Sequence, residues 1–335
     1  MKKKLMVFFL LCVLTITTMA GCQKQQSESG KKVILNEVAH SIFYAPMYVA
    51  IENGYFEEEG IELTLNTGFG ADKTMTALLT GEADIGFMGP EATVYTYQGG
   101  MEDYAVNFAQ LTQRAGNFVV ARQADDAFDW SKLKGKTVLG GRAGGMPEMV
   151  FEYVLKKNNI DPVADLTIDQ SIDFGATAAA FSGGQGDYTI EFEPHATALE
   201  QKGDGVVVAS VGEDSGYVPY TAFCARKSFI EKNPDTLLSF TKALQKGMDY
   251  VAGHTPLEIA QIIKPQFAET DIETITTIIE RYYEQDTWKT NLIFEEDAFI
   301  LLQDILEDAG QITERAAYED LVNPSFAKKV AKAEK

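Results

Sequence analysis

Short apolar runs alternate with segments of helical period along the chain from residue 33 onward. The run KKVILNEVA predicts a first strand, and APMYVAIENGYFEEEG predicts a helix, because Pro46 lies near its first turn and Gly54 near its end. IELTLNTG alternates as a second strand. The next segment carries an apolar stripe at i, i+4, i+7 and i+8, formed by Ala71, Met75, Leu78 and Leu79. ADIGFMG and DYAVNFAQLT predict two more strands, so the pattern is typical of an α/β architecture with largely parallel strands.

A second unit of the same kind follows the first. After Arg122 the polar segment QADDAFDWSKLKGK interrupts the pattern, and TVLGG opens the new unit. Its helix carries an apolar stripe of Met146, Val150, Tyr153 and Val154. The unit ends near VVVASVG at residues 206–212, and from Ser228 the chain is mostly helical. We therefore expect two α/β units and a helical C-terminal segment.

A short internal repeat suggests that the two units are built alike. ALLTGEADIGFMGPEA, from Ala77, aligns with AFSGGQGDYTIEFEPH, from Ala180, so that Gly81 matches Gly184 and Asp84 matches Asp187. Each copy predicts a helix end, a Gly-x-x-Asp turn, a short strand and a loop with proline. Because ligands of open α/β sheets lie outside the carboxyl ends of the strands, the two loops after these strands are expected to face each other across a cleft. These loops are Met88-Gly89-Pro90 and Glu191-Phe192-Glu193.

The first 21 residues have the pattern of an export signal. Three lysines precede a short apolar core, and small residues precede Cys22, while the apolar stretch is too short for a spanning helix. The segment Met19-Ala20-Gly21-Cys22 resembles the bacterial lipobox, which implies that Cys22 is lipidated. Residues 22–32, which are polar, then predict a flexible tether. The alternative is a plain secretory signal followed by an incidental cysteine.

Charge and cysteine content narrow the class of protein. Removal of the signal takes away three lysines and no acidic residue, so the net charge falls from −20 to −23. So acidic a surface repels phosphate backbones, and we expect no nucleic-acid partner. Cys224 alone would remain in the folded part, which leaves no intramolecular disulfide, and its apolar neighbours indicate a small buried side chain rather than a nucleophile.

Five segments in order resemble the solute-binding proteins of ABC importers, in the group that handles nitrate, sulfonates, taurine and thiamine-pyrimidine precursors. They are APMYVAIENGYFEEEGIEL, ALLTGEADIGFMGP, LKGKTVLGGRAGG, GDYTIEFEPHATALE and SFIEKNPDTLLSFTKAL. The resemblance implies a bilobed α/β fold of the type II periplasmic-binding-protein class. Lobe one would comprise residues 33–120 and 221–335, and lobe two residues 121–220. Crossover segments near Asn117–Arg122 and Tyr217–Cys224 would form the hinge.

The same resemblance implies a function in transport. The protein would be a monomer, lipid-anchored to the outer face of the cell membrane. It would capture a small polar organic solute, either sulfonate or taurine-like or an aminopyrimidine, and deliver it to a permease and its ATPase. The alternatives are an enzyme of the thiamine-pyrimidine-synthase type on the same fold and a sensor lipoprotein without a transport role.

The residue types give little support to catalysis. The histidines are His40, His195 and His254, and neither a His-x-x-x-His nor a paired-cysteine spacing predicts a metal site. The chain has no Gly-x-Ser-x-Gly segment, and nothing in it matches the cysteine-rich segment of the pyrimidine-synthesising relatives. We therefore expect no enzyme activity, no cofactor and no metal.

Polar and aromatic residues at the predicted strand ends are the candidates for solute binding. The loop after the first strand offers His40, Phe43 and Tyr44, although Phe43 and Tyr44 could instead pack the helix start. The segment QLTQRAGN offers Gln110, Gln113, Arg114 and Asn117, and Arg114 could equally be a surface charge. The repeat loops add Met88, Gly89, Glu191 and Glu193, and the second crossover adds Tyr220.

Glu191 and the loop VLGGRAGGMPEM, residues 138–149, suggest a more specific hypothesis. An acid at position 191 is costly unless it meets water, a cation or a donor, so we expect Glu191 to contact an amine or amino-heterocycle. The loop matches neither Gly-x-Gly-x-x-Gly nor a P-loop, yet the helix opening after it presents backbone N–H groups. Gly144 and Gly145 are thus expected to hold an acidic or electron-rich part of a solute, with Arg142 as a clamp. The alternative is that the glycines serve only a tight turn.

Overall fold

The computed structural model describes residues 30–125, 127–172 and 175–333. The predicted signal, Cys22 and most of the predicted tether lie outside the described residues. Lys31 and Lys32, predicted as the end of the tether, belong to the first strand, where they pair in parallel register with Ile61 and Glu62. Among the described residues, no helix combines the length and the apolar character that crossing a membrane requires.

In the described ranges, ten strands form two sheets of five. They are β1 (Lys31–Glu37), β2 (Ile61–Thr67), β3 (Ile85–Met88), β4 (Ala105–Thr112), β5 (Asn117–Ala121), β6 (Thr137–Leu139), β7 (Thr167–Asp169), β8 (Tyr188–Phe192), β9 (Val206–Ser210) and β10 (Thr221–Arg226). The first sheet has the order β2-β1-β3-β10-β4 and the second the order β7-β6-β8-β5-β9. In the first sheet β1 is parallel to β2 and β3, and β10 is antiparallel to both of its neighbours. In the second, β6 is parallel to β7 and β8, and β5 is antiparallel to both of its neighbours.

Fifteen α-helices surround the sheets in the part of the chain that is described. They are α1 (Ala45–Glu52), α2 (Tyr55–Glu58), α3 (Ala71–Thr80), α4 (Glu91–Gln98), α5 (Met146–Lys157), α6 (Thr177–Ser182), α7 (His195–Lys202), α8 (Val211–Ser215), α9 (Lys227–Lys232), α10 (Pro234–Gly253), α11 (Pro256–Ile263), α12 (Ile272–Glu284), α13 (Glu296–Asp308), α14 (Tyr318–Leu321) and α15 (Ser325–Ala333). The expected helical C-terminal segment is therefore confirmed. Its long helix α10 packs on α1 at Gly247, where a side chain would collide with the Pro46 carbonyl.

The internal repeat corresponds to a repeated structure, as the sequence predicts. Gly81 follows α3 and Gly184 follows α6, and each has a positive φ, of 82° and 97°. The carboxylate of Asp84 accepts a hydrogen bond from the amide of Ile34 at 2.9 Å, and that of Asp187 accepts one from the amide of Thr137, also at 2.9 Å. Because β3 and β8 occupy the same middle position in their sheets, the strand ends of the two units are equivalent.

The chain passes between the sheets twice. It leaves the first sheet after β4, crosses in residues 113–116, and enters the second sheet with β5. The predicted hinge segment Asn117–Arg122 lies mostly within β5, because Phe118 and Val119 are paired on both sides, to β8 and to β9. The chain returns in residues 216–220 and rejoins the first sheet with β10. The two crossings lie side by side, because the amide of Val218 in the second donates to the carbonyl of Gln113 in the first at 2.9 Å.

Candidate functional site

A cavity of about 290 Å³ lies between the two sheets. The first sheet lines it with the loops that follow β1, β2 and β3. The second sheet lines it with the loops that follow β6 and β7 and with the end of β8. Tyr220 of the return crossing and Thr221 at the start of β10 also line it. These are the carboxyl ends of the parallel strands, where ligands of open α/β sheets bind. The cavity is therefore the candidate ligand-binding site, and it is called the cleft below.

His40 lines the cleft from the loop after β1 and is held on both sides of its ring. Its Nδ1 lies 2.9 Å from Oε1 of Glu37, and its Nε2 lies 2.8 Å from the carbonyl oxygen of Gln266. Glu37 is buried and also accepts hydrogen bonds from the hydroxyls of Tyr48 and Thr67, at 2.6 and 2.8 Å. The hydrogen bond to Glu37 raises the pKa of His40. Both ring nitrogens are thus engaged within the protein, and His40 shapes the wall of the cleft.

Glu91, the first residue of α4, is a buried acid in the lining of the cleft. It is only 1% exposed, and its Oε1 accepts a hydrogen bond from the amide of Met146 at 3.4 Å. Its Oε2 has no hydrogen-bond partner among the described residues. Burial raises the pKa of Glu91 to about 7, opposed by the backbone N–H groups of Glu91, Met146 and Ala92 and by the positive charge of Arg142. Gly89 leaves the space that this carboxyl occupies, since a side chain there would collide with it.

The glycine-rich loop lies on the second sheet's side of the cleft. Gly141 and Gly144 have φ values of 82° and 70°, a conformation that favours glycine, and α5 begins just after them. The amide of Gly144 donates to the Glu148 carboxylate at 3.0 Å, and its carbonyl accepts from the Tyr95 hydroxyl at 2.9 Å. The other oxygen of Glu148 accepts a hydrogen bond from the side-chain amide of Gln170. The loop is therefore tied to both sides of the cleft by its own hydrogen bonds.

Two carboxyl groups of the protein already face the N–H groups at the start of α5. Glu148 accepts from the Gly144 amide and Glu91 from the Met146 amide. An acidic group of a solute at this helix end would meet both acids, so this geometry does not support the predicted grip on an acidic part. Arg142 lines the cleft and is exposed, and no ion pair to it is present in the described ranges. It remains available to an electron-rich group of a solute.

Aromatic side chains form much of the remaining wall. Tyr44 packs edge-on against Phe87 with ring centres 4.5 Å apart, and no hydrogen bond to the Tyr44 hydroxyl is present among the described residues. The Tyr220 hydroxyl donates to the side-chain oxygen of Asn117 at 3.4 Å. Phe69 is 66% exposed and has a positive φ of 55°, which is uncommon for a bulky residue. Its exposed ring lines the mouth of the cleft.

Glu193 and His195 lie at the end of β8 and the start of α7. The Glu193 carboxylate pairs with Nη1 of Arg281 at 2.7 Å and accepts from the Thr197 hydroxyl at 2.9 Å, while its carbonyl accepts from the Ser41 hydroxyl at 2.7 Å. Its charge is therefore satisfied within the protein. Burial lowers the pKa of His195, which also lines the cleft and was not among the predicted binding residues.

The structure brings about half of the predicted binding residues to the cleft. Those in the lining are His40, Tyr44, Gly89, Arg142, Gly145, Glu193 and Tyr220. Those outside it are Phe43, Met88, Gln110, Gln113, Arg114, Asn117, Gly144 and Glu191.

The residues outside the lining are engaged elsewhere. Phe43 is fully buried, with its ring centre 5.2 Å from that of Tyr282, and Met88 is buried in the core. The side-chain amides of Gln110, Gln113 and Asn117 donate to main-chain carbonyls, namely those of Thr112, of Asp286 and Trp288, and of Pro147. Arg114 lies over the ring of Tyr217 and donates to the Gly212 carbonyl at 3.2 Å.

Glu191 lies inside the second unit, away from the cleft. It is 3% exposed, and its Oε1 accepts from the Thr189 hydroxyl at 2.6 Å. Burial raises its pKa to about 7, opposed by hydrogen bonds from Thr189 and Thr177. Phe192, which follows it and ends β8, lines the cleft. The geometry therefore gives no support to the predicted contact between Glu191 and an amine.

Sequence reasoning missed Glu91, Phe69 and Gln170, which line the cleft. Glu91 had a usable signal, because it is the acid in the first turn of the helix that follows the third strand. Gln170 follows β7, a strand too short to stand out in the pattern. In the described ranges, no group of three or more His, Cys, Asp or Glu side chains is arranged to hold a metal ion.

Comparisons with known proteins agree with this architecture. The model of the family described as NMT1/THI5 like matches residues 42–256. The binding protein YtlA of Bacillus subtilis (strain 168) is 47% identical over 312 residues, which cover 93% of each chain. The structure of the alkanesulfonate-binding protein SsuA from Xanthomonas axonopodis pv. citri, bound to MOPS, superposes with a TM-score of 0.69 at 15% identity, over 89% of this chain and 99% of that one. A 4-amino-5-hydroxymethyl-2-methylpyrimidine phosphate synthase of Aspergillus parasiticus is 22% identical over 220 residues, 62% of this chain and 63% of that protein.

Proposed function

The chain belongs to the NMT1/THI5-like family, and from this premise we propose that it is the solute-binding protein of an ABC importer. It would capture a small polar organic solute in the cleft and deliver it to a membrane permease and its ATPase. The observation that carries the proposal is the position of the cleft between two equivalent units joined by two adjacent crossings. Rotation about paired crossings can close two lobes around a ligand, and the closed form is then distinct from the open one.

The residues that line the cleft favour a small solute with both polar and aromatic character. A cavity of about 290 Å³ is at the lower end of the range for ligand pockets. Tyr44, Phe69 and Tyr220 offer ring surfaces, Arg142 offers a positive group, and Glu91 offers an acceptor. Sulfonate or taurine-like solutes and aminopyrimidines both fall within this description.

The proposed location at the outer face of the cell membrane rests on the signal-like first 21 residues and on the proposed transport role. Cleavage before Cys22 and lipidation of that cysteine would hold a monomer at the outer face of the cell membrane. Labelling with a radioactive fatty acid, compared between the wild type and Cys22→Ala, tests this part: we expect the label to be lost in the variant.

The binding function is tested by recovery of the ligand and by a thermal-shift panel. A ligand that binds only the native state stabilises it and so raises the unfolding midpoint. At a ligand concentration a hundredfold above Kd, the unfolding free energy increases by about 2–3 kcal/mol. The panel contains sulfonates, aminopyrimidines, amino acids and nitrate, and native mass spectrometry reports whether a bound molecule leaves unchanged. No stabilisation by any member of the panel would contradict the proposal.

A second candidate function is an enzyme of the pyrimidine-synthase type, which the relative from Aspergillus parasiticus favours. The same mass-spectrometric experiment separates the two. A solute that is recovered unchanged after long incubation supports binding, whereas a new product mass supports the enzyme.

A further inference from the structure

Glu91 is a buried carboxyl with one oxygen bonded by the protein and one that is not. Its Oε2 has no hydrogen-bond partner among the described residues, and the side chain is only 1% exposed. A buried carboxylate oxygen without a donor is costly, and such groups in native proteins call for an explanation. Because Glu91 lines the cleft, the missing donor can come from a solute.

The charge of Glu91 is not neutralised by a neighbouring base. Arg142 is near enough to influence it, but the two make no ion pair within 4.0 Å in the part of the chain that is described. Of the other basic residues of the lining, His40 is engaged by Glu37 and by the Gln266 carbonyl, and neither Lys73 nor His195 forms an ion pair with Glu91 in the described ranges. The carboxyl is therefore open to a cation.

An anion would be poorly accommodated on the opposite wall. The N–H groups at the start of α5, which would ordinarily attract one, already donate to Glu91 and Glu148. A sulfonate or carboxylate placed there would have to displace one acid while facing the other. The two acids together thus favour a positive group over a negative one at this point of the cleft.

The surroundings of Glu91 suit a flat ring. Tyr44 and Tyr220 line the same cavity as Glu91, and both side chains are buried. The exposed ring of Phe69 lies at the mouth of the same cavity. Aromatic rings stack on or pack edge-on against flat solutes, and their negative faces also attract cations.

We propose that the cleft takes a small aromatic ring bearing a protonated nitrogen group, that this group donates to Oε2 of Glu91, and that the same carboxyl turns sulfonates away. The inference rests on the proposed solute-binding function and makes it narrower. Glu91 is thereby the residue that sets specificity, with an amidinium, an aryl ammonium or a protonated amino-heterocycle as the chemical class that it selects.

The test uses benzamidine and 4-aminopyridine as cationic rings and benzenesulfonate as a flat anion of similar size. Isothermal titration calorimetry at pH 8 measures Kd for the wild type, Glu91→Gln and Glu191→Gln. The second variant removes a buried acid of similar pKa outside the cleft. We expect both cationic rings to bind the wild type, benzenesulfonate to fail at about 10 mM, and Glu91→Gln to weaken benzamidine about 10- to 100-fold. Glu191→Gln is expected to change Kd less than twofold.

Each other result counts against the assignment. It is overturned if neither cationic ring binds at about 10 mM, if benzenesulfonate binds more tightly than benzamidine, or if the loss appears in Glu191→Gln instead of Glu91→Gln. Urea unfolding of each variant confirms that a lost affinity does not reflect a lost fold. Tight binding of a sulfonate would leave the solute-binding function standing and remove only the specificity, whereas turnover or failure of the whole solute panel would remove the function itself.

Discussion

Replacement of Glu91 by glutamine is predicted to stabilise the protein, and to do so only above mildly acidic pH. Burial raises the pKa of Glu91 from the ordinary 4.5 to about 7 in the folded protein. Between these values the unfolded chain has released its proton while the folded protein still holds it. The folded state therefore loses stability as the pH rises from 4.5 toward 7, and the loss levels off above 7. Glutamine keeps an acceptor for the Met146 amide and does not titrate.

The expected change in unfolding free energy with pH follows from the two pKa values. A displacement from 4.5 to about 7 corresponds to roughly 3 kcal/mol when it is fully expressed, and to about 2–3 kcal/mol between pH 5 and pH 8. The unfolding free energy of Glu91→Gln minus that of the wild type should therefore increase by this amount over the interval. Other titrating groups, including Glu191 and Glu152 with pKa values raised to about 7, are common to both proteins and largely cancel in the difference.

The groups that interact electrostatically with Glu91 do not interfere with the comparison of the two proteins between pH 5 and pH 8. They are Arg142 on the glycine-rich loop and Tyr44, Tyr95, Tyr220 and Cys224 on the elements of the first unit and the return crossing. Burial raises the pKa of each tyrosine and of the thiol, so they stay protonated at pH 8. Urea unfolding followed by circular dichroism at pH 5, 6, 7 and 8 measures the difference. A difference that stays constant with pH, or that shrinks as the pH rises, would refute the account of Glu91 as a buried and unpaired acid.

Three further predictions concern packing, the mouth of the cleft and the buried thiol. Gly247→Ala should lower the unfolding free energy measured in urea by about 1–3 kcal/mol, because the new Cβ would collide with the Pro46 carbonyl. The control is Gly253→Ala in the same helix, which should not destabilise the protein because its new Cβ meets no atom within 4 Å. Phe69→Ala should leave the unfolding free energy within about 0.5 kcal/mol, because the ring is 66% exposed, yet weaken benzamidine binding in calorimetry; unchanged affinity would remove Phe69 from the site. Burial raises the pKa of Cys224 to about 12, so mass spectrometry should find this thiol unlabelled by maleimide in the native protein and labelled in urea.

The strand ends could be located from the sequence because their turns have strict backbone requirements. Gly81 and Gly184 occupy positions with positive φ, and Asp84 and Asp187 each cap the amide of a neighbouring strand. These backbone requirements fix the Gly-x-x-Asp spacing, which can be recognised in the sequence alone. The crossing was less accurately placed, since β5 pairs on both of its edges and so extends the second sheet back to Asn117.

The chemistry of the cleft was harder to predict because it depends on residues far apart in the chain. Arg142 and the glycine-rich loop were recognised, but nothing within residues 138–149 shows that Glu91, about fifty positions earlier, bonds to the amide of Met146. In the same way, alternation along β8 showed that Glu191 and Phe192 point to opposite faces, but not which face borders the cleft. The distinction between an acid in the cleft lining and an acid buried inside one unit thus required the packing of one unit against the other.

The two units have the same Gly-x-x-Asp turns but differ in the charged residues at their strand ends. This difference affects how a bound solute would bring the two units together. Glu91 belongs to the first unit and Arg142 to the second, and they face one cavity without pairing. A solute that donates to Glu91 and also offers an electron-rich edge to Arg142 would gain contacts with both units only when they are together. A solute with one of these groups would contact one unit and would not favour the closed arrangement, because a ligand shifts a conformational equilibrium only by its differential affinity for the two states. Under the proposed assignment, selection by Glu91 would therefore act on closure as well as on binding.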